Sequence, residues 1–251
     1  MARGYGWVRD NPDSRDHRYV APPAILRNVP KKADLRPLFP PVYNQRQMNS
    51  CTANALAAAM EFEEIRQGAE KARTPSRLFI YYNERAMEGS VREDGGARIR
   101  DGIKVVAKQG ACVEKLWPYR KRNLNLRPPE ECYLRARRYK AVQYQRIEGK
   151  LEDLKSCLAS GFPFVFGFKV YESFEGKAIK RTGRLKMPRK GEKPVGGHAV
   201  VAVGYNDSKG RFFVRNSWGK KWGKKGYFTM PYEYMTDGGL ARDFWTIRFV
   251  R

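Results

Sequence analysis

The stretch Asn44-Gln45-Arg46-Gln47-Met48-Asn49-Ser50-Cys51-Thr52-Ala53-Asn54-Ala55 joins a polar turn to an Ala-rich segment, and the rest of the chain is read outward from it. Residues 53–66 (ANALAAAMEFEEIR) are nearly all strong helix formers, with no Gly or Pro until Gly68, so a helix is predicted there. Ser50 and Thr52 are candidate caps, which puts Cys51 at or just before the first turn. Main-chain N–H groups and the positive end of the helix dipole then face its sulfur, a setting that favours thiolate over thiol. The other reading of a lone cysteine is a small buried hydrophobe. This stretch leaves both open.

At 251 residues the chain can bury one large core or two lobes, and 41% hydrophobic with 13% aromatic residues mark it as globular. No run of 18 apolar residues occurs, so no membrane span is expected. The first twenty residues, MARGYGWVRDNPDSRDHRYV, lack the apolar core of a secretory signal, which leaves the compartment open. Four cysteines (Cys51, Cys112, Cys132, Cys157) without a CxxC, and two histidines, make neither a disulfide scaffold nor a metal cluster. No metal and no cofactor is expected; Cys112 and Cys132 flank a Pro-containing loop and could pair. The net charge is +24, densest from Lys177 to Lys193 and again at Lys220, Lys221, Lys224 and Lys225. Such a face attracts anionic ligands or acidic proteins non-specifically, or is simply solvated. No nucleic-acid-binding signature accompanies it.

Residues 1–33 read as a non-core leader punctuated by Pro12, Pro22, Pro23 and Pro30, with Tyr5, Trp7 and Tyr19 set among charges. Residues 34–143 read as mainly helical: after the Cys51 helix, Leu78, Tyr81, Tyr82 and Arg85 keep helical spacing behind Pro75, and Ile99, Ile103, Val106 and Ala107 mark a third helix ending at Gly110. Residues 144–251 change character, with short aromatic or β-branched runs at 162–170, 198–205, 211–216 and 227–230 and an amphipathic helix at 151–160. The predicted class is α+β, a helical lobe followed by an antiparallel, barrel-like β lobe, with a cleft between them.

A thiol nucleophile needs a base. His17 sits in the charged leader, a poor place for a rigid group; His198 opens the buried run His198–Tyr205 after two glycines, where it could equally be structural. The next run ends in Asn216-Ser217-Trp218-Gly219; an Asn amide can accept from one imidazole N–H and fix ring and tautomer, and a neighbouring Trp can cover that bond.

Together these parts resemble the papain-like cysteine proteases. Cys51, His198 and Asn216 follow that family's chain order, 147 and 165 residues apart from the cysteine. Gly-His-Ala-Val-Val-Ala-Val-Gly-Tyr and Asn-Ser-Trp-Gly-x-x-Trp-Gly-x-x-Gly-Tyr are specific matches, and the likeness spans about residues 33–251, closest to bacterial and viral members with a short leader. It implies a Cys51 thiolate paired with a His198 imidazolium, Asn216 orienting the ring under Trp218, and Gln45 with the Cys51 N–H holding the oxyanion. Gly95 and Gly96 would pair with the substrate main chain, Gly197 and Trp218 would also touch substrate, and Ala97, Gly167, Gly196 and Asp243 would line the S2 pocket. Asp243 there would favour Arg or Lys at P2, or else pairs with a surface cation. Met48 and Thr52 depart from the family's Cys-Gly-Ser-Cys-Trp, which removes one familiar disulfide and the Trp after the nucleophile.

The expected function is cysteine endopeptidase acting on peptide or protein substrates, as a monomer. The leader is expected to lie along the cleft as a lid from Tyr5 to Tyr19. The competing class is a non-catalytic module of the same fold that binds anionic ligands through its basic face.

Overall fold

A computed structural model describes residues 4–70 and 72–250. Its elements in chain order begin with β1 (Trp7–Val8), α1 (Pro23–Arg27), β2 (Lys32–Asp34), α2 (Cys51–Arg66), α3 (Arg77–Met87), β3 (Ala97–Arg98) and α4 (Ile99–Lys108). They continue with α5 (Glu130–Ala136), β4 (Ala141–Ile147), α6 (Leu151–Ala159), β5 (Phe164–Tyr171), α7 (Lys177–Thr182) and β6 (Pro194–Asn206). The last are β7 (Arg211–Arg215), β8 (Tyr227–Pro231), α8 (Tyr232–Thr236) and β9 (Ala241–Val250).

The first thirteen residues of α2, Cys51 to Glu63, are all buried. A helix enclosed on every side cannot show one apolar stripe, and its small alanines let neighbours approach closely. It packs on β6 and β9 of the sheet and on α3 and α4. That burial fixes the position of Cys51 at its tip.

The main sheet runs β4-β9-β5-β6-β7-β8, with β2 added antiparallel to β6. It is open, with β4 and β8 at the ends of the path, so the architecture is α+β but the barrel expected from the sequence does not close. Alternation along the central strands divides the core. Phe164, Phe166, Phe168, Val200 and Ala202 face one cluster with α6, while Val165, Ala199, Val201 and Val203 face the cluster that holds α2. The sheet therefore serves both halves. The boundary expected at 143/144 falls inside β4, and β9 at the far end of the chain pairs with β4 and β5.

His198 was expected at a strand start and lies instead well inside β6, opposite Phe168 of β5. The strand begins earlier because Gly196 and Gly197 pair with Val170 and Lys169. The short helices α5, α7 and α8 have too few residues to leave a periodic signal. Cys112 and Cys132 are free thiols, buried and hydrogen-bonded to each other, and no disulfide links them.

Candidate active site

Cys51 is the first residue of α2 and is fully buried. Ser50 does not cap the helix as expected: its hydroxyl is 2.5 Å from the Tyr119 hydroxyl and accepts from Asn54 Nδ2 at 3.1 Å. The first intrahelical bond runs from the Asn54 N–H to the Ser50 carbonyl, so the N–H groups ahead of it have no partner within the helix. The Thr52 hydroxyl turns away and donates to the buried Glu84 carboxyl at 2.8 Å. The Cys51 thiol is pushed up to about 11, chiefly because it is cut off from water. Hydrogen bonds from main-chain groups of Ala199, Gly6 and Thr52 offset part of that rise, and Glu84 adds to it. Burial under the leader thus opposes the thiolate that the helix end favours.

His198 is fully buried on β6. Its Nε2 lies 2.8 Å from Asn216 Oδ1. The same oxygen accepts the Ser217 N–H at 2.8 Å, so it is the acceptor end of the amide and His198 Nε2 carries the hydrogen. In the neutral ring Nδ1 is then the basic nitrogen. Trp218 stacks on the imidazole at 4.9 Å between centroids and 28° between planes, and Phe168 meets it edge-on at 5.8 Å. The His198–Asn216 bond is thus shielded from water, which strengthens it.

Gln45 is buried between two sources of order. Its Oε1 accepts from the Ser217 hydroxyl at 2.5 Å and its N–H donates to the Ser217 carbonyl at 2.8 Å. With the oxygen occupied, Nε2 is aimed forward as a donor, to the Met48 carbonyl at 2.9 Å and to the Gly4 carbonyl at 3.2 Å. A leader carbonyl therefore sits where Gln45 presents its amide.

The leader crosses this site at Gly6. Its carbonyl accepts the Ala97 N–H at 2.8 Å, and β1 pairs with β3 in parallel, Trp7 beside Ala97 and Val8 beside Arg98. On one side of Gly6, the Tyr5 ring contacts His198 and Trp218 at about 6 Å and its hydroxyl donates to Glu175 at 2.5 Å. On the other side, Trp7 donates from Nε1 to Asp243 Oδ2 at 3.1 Å. The bed is made of glycine for a steric reason. A Cβ on Gly167 would overlap the Trp7 indole, one on Gly196 would meet Tyr5 and one on Gly197 would meet Trp7, while Gly96, at φ +88°, would collide with Gly6. Gly95 has open space around it.

Asp243 meets both the leader and a cation. It is 3% exposed, at φ +58°, and accepts from Trp7 Nε1 and from the Asp10 N–H, while Arg146 lies 3.5 Å from its other oxygen. Asp10 is buried beside it, accepting from the Arg100 N–H and from Trp245 Nε1, and burial together with the Asp243 charge raises its carboxyl to about 6.

Of the residues singled out from the sequence, Gln45, Cys51, His198, Asn216 and Trp218 share one site, and Gly96, Ala97, Gly167, Gly197 and Asp243 line the cleft beside it. Tyr5 and Trp7 lie in that cleft. Tyr19 does not: it is buried in the core with Ala21, its hydroxyl 3.4 Å from Ser156, so the lid ends well before it. An aromatic followed by an apolar pair and a short helix is an anchor signal, not a cleft signal. Sequence reasoning missed Ser217, which was read only as part of a motif, and Asp10 and Glu84, which carry no local pattern.

Comparison with known proteins shows the family. The family model described as papain family cysteine protease matches residues 29–245. The crystal structure of xylellain, a cysteine protease from Xylella fastidiosa, superposes with a TM-score of 0.92 at 46% identity, covering 99% of this chain and 97% of that one. An uncharacterized peptidase C1-like protein of Acanthamoeba polyphaga mimivirus is 41% identical over 100% of this chain and 88% of its own length. A procathepsin B of Trypanosoma congolense shares the fold at a TM-score of 0.73 and 18% identity, over 90% of this chain and 79% of that one. The chain belongs to the papain family of cysteine proteases, and its function is that of a cysteine endopeptidase.

Proposed function

We propose that Cys51 is the nucleophile of this peptidase and His198 its base and acid. In the uncovered site water returns to the sulfur, His198 takes the thiol proton at Nδ1, and the thiolate attacks the carbonyl carbon of the scissile bond. Gln45 Nε2 and the Cys51 N–H hold the oxyanion. His198 returns its proton to the departing amine, and water then hydrolyses the thioester with the same ring as base. Asn216 holds the ring through Nε2, and Ser217 keeps the Gln45 amide turned the right way. The observation that carries this reading is the donor arrangement at Gln45 and His198, two side chains whose other polar ends are already committed. Cys51→Ala is expected to lose turnover of a dipeptidyl coumarin by at least about a thousandfold and to lose covalent labelling by an epoxide inhibitor of cysteine proteases. Full turnover by that variant would remove Cys51 from the mechanism.

The leader is the enzyme's own inhibitor. A substrate whose P2 side chain fills the Trp7 pocket and whose P1 carbonyl reaches Cys51 runs from the pocket toward the sulfur. The leader runs the other way, from Tyr5 past Cys51 to Trp7. Its peptide bonds are therefore turned away from attack, which lets it cover the site without being consumed. The same pocket argues for a cationic P2: an Arg or Lys would replace the indole N–H with a full charge facing Asp243. A positional peptide library is expected to favour Arg and Lys at P2, with Asp243→Asn lowering that preference about tenfold; selection of large apolar P2 residues alone would reject it.

A further inference from the structure

The twelve basic residues Lys177 to Lys193 and Lys220 to Lys225 take no part in the site described above, and all twelve are exposed. None forms an ion pair among the described residues. Three cross-links gather them into one shelf. The Gly223 N–H donates to the Lys180 carbonyl at 2.8 Å, joining α7 to the 219–226 turn. The Glu172 N–H donates to the Lys193 carbonyl at 3.3 Å, and the Ser173 N–H to Glu192 at 2.7 Å, joining the 189–193 turn to the 3-10 turn Glu172–Glu175. Phe174 and Trp222, buried beneath, pack on each other at 5.3 Å and on Trp218 at about 5.2 Å.

The shelf starts where the cleft ends. Glu175, which accepts the Tyr5 hydroxyl, is two residues ahead of α7, and Trp218 beside His198 is two residues ahead of Lys220. Tyr5 lies across Cys51 from the Trp7 pocket, on the side that receives residues C-terminal to the scissile bond. Over residues 172–193 and 220–225 the acids are Glu172, Glu175 and Glu192, against twelve cations.

We infer that this shelf is an exosite for an acidic polypeptide segment C-terminal to the cleaved bond. The inference rests on the peptidase reading above and adds a substrate class to it. Uncompensated charge raises the local concentration of an oppositely charged chain and steers its approach. Several exposed contacts acting together do what one surface pair does not. An acidic peptide fits better than single-stranded nucleic acid, because the shelf's aromatics are buried and offer no face for base stacking.

The test uses the full chain and two quenched peptides identical from P3 to P2′, one continuing with a run of Asp and Glu, the other with Ser and Gly. The acidic peptide is expected to show about tenfold higher kcat/KM at low salt, through KM, with the advantage collapsing at about 0.5 M salt. Because both peptides meet the same leader, its opening cancels in the ratio. Lys220→Gln/Lys221→Gln/Lys224→Gln, and separately Lys177→Gln/Lys180→Gln/Arg181→Gln, are expected to lower the ratio severalfold and leave turnover of a dipeptidyl coumarin, which has no such segment, unchanged. Equal kcat/KM for the two peptides, or a ratio that survives both variants, overturns the exosite. Anisotropy of a labelled acidic peptide and of a labelled oligonucleotide on the Cys51→Ala chain supplies a readout independent of turnover. Loss of oligonucleotide binding alone in the variants assigns the shelf to nucleic acid and also overturns it. Loss of coumarin turnover in the unaltered chain would count instead against the peptidase reading.

Discussion

The leader has two halves held by different physics. From Gly4 to Asp10 it lies on glycines and presents main-chain carbonyls and two aromatic rings to Gln45, Ala97, His198 and Asp243, groups that a substrate would meet in the function proposed above. From Asp16 to Ala21 it is part of the fold: Asp16 pairs with Arg100 and Arg146, the Tyr19 N–H donates to the Arg146 carbonyl at 2.7 Å, and Tyr19 and Ala21 are both 5% exposed within the core. A contact that mimics substrate can be exchanged for substrate, whereas a contact inside a packed core has no replacement. The difference implies a tether with a removable end. It also means that cutting the chain before residue 33 would remove core as well as lid.

The sharpest way to break the comparison is to strike each half once. Gly6→Ala would place a methyl on top of the Asn49 carbonyl, so the cleft half cannot stay seated. The expected result is a rise in kcat/KM of about a hundredfold with the urea midpoint barely moved. Tyr19→Ala, in contrast, is expected to cost about 3 kcal/mol of stability, read as a lower urea midpoint, with little gain in activity. If Gly6→Ala destabilised the fold as much as Tyr19→Ala does, the two halves would not differ. Trp7→Ala removes one anchor and leaves the main-chain bonds of β1 in place, so it is expected to raise kcat/KM by only about tenfold. A drop in apparent KM for P2-Arg peptides would identify the vacated pocket as S2.

How far the sequence reaches follows the same division. The helix at Cys51 was legible because fourteen consecutive helix formers leave little alternative, and the strands were legible because aromatic and β-branched runs between turns fit a half-buried sheet. Gln45, Cys51, His198 and Asn216 could be named as a set through specific motifs. Their environment could not. Burial by the leader opposes ionisation of Cys51, and no local pattern encodes that a glycine forty-five residues away will cover it. That β4 begins at Ala141, just before the boundary read at 143/144, was not legible because its partner β9 lies at the other end of the chain. Tyr19 failed as a lid residue because composition separates aromatics from charges but says nothing of which surface each one meets. Long-range pairing was the missing quantity in every case.

A pH dependence, no larger than the effect of Trp7→Ala, tests how the removable half lets go. In the docked leader the Asp10 carboxyl is raised to about 6, first by burial and then by the charge of Asp243, which is itself raised by burial. Once the leader leaves, Asp10 returns to the ordinary carboxylate range near 4. The docked state therefore holds more protons than the released one, so docking is strengthened as pH falls through 6 and levels off near 4. Opening is accordingly favoured at and above neutrality. The ratio of kcat/KM for Gly6→Ala to that for the unaltered chain is expected to grow about tenfold from pH 7 to pH 5. Because the ratio compares two chains with the same Cys51 and His198, titration of the catalytic pair divides out. Asp10→Asn keeps a hydrogen-bonding side chain of the same size, has no proton to gain and relieves Asp243 of a charged neighbour, so its ratio should grow far less over that range. A ratio that stays flat or shrinks toward acid in the unaltered chain would remove the Asp10–Asp243 contact from the control of release, and the removable end would then be held by the main-chain and aromatic contacts of residues 4–8 alone.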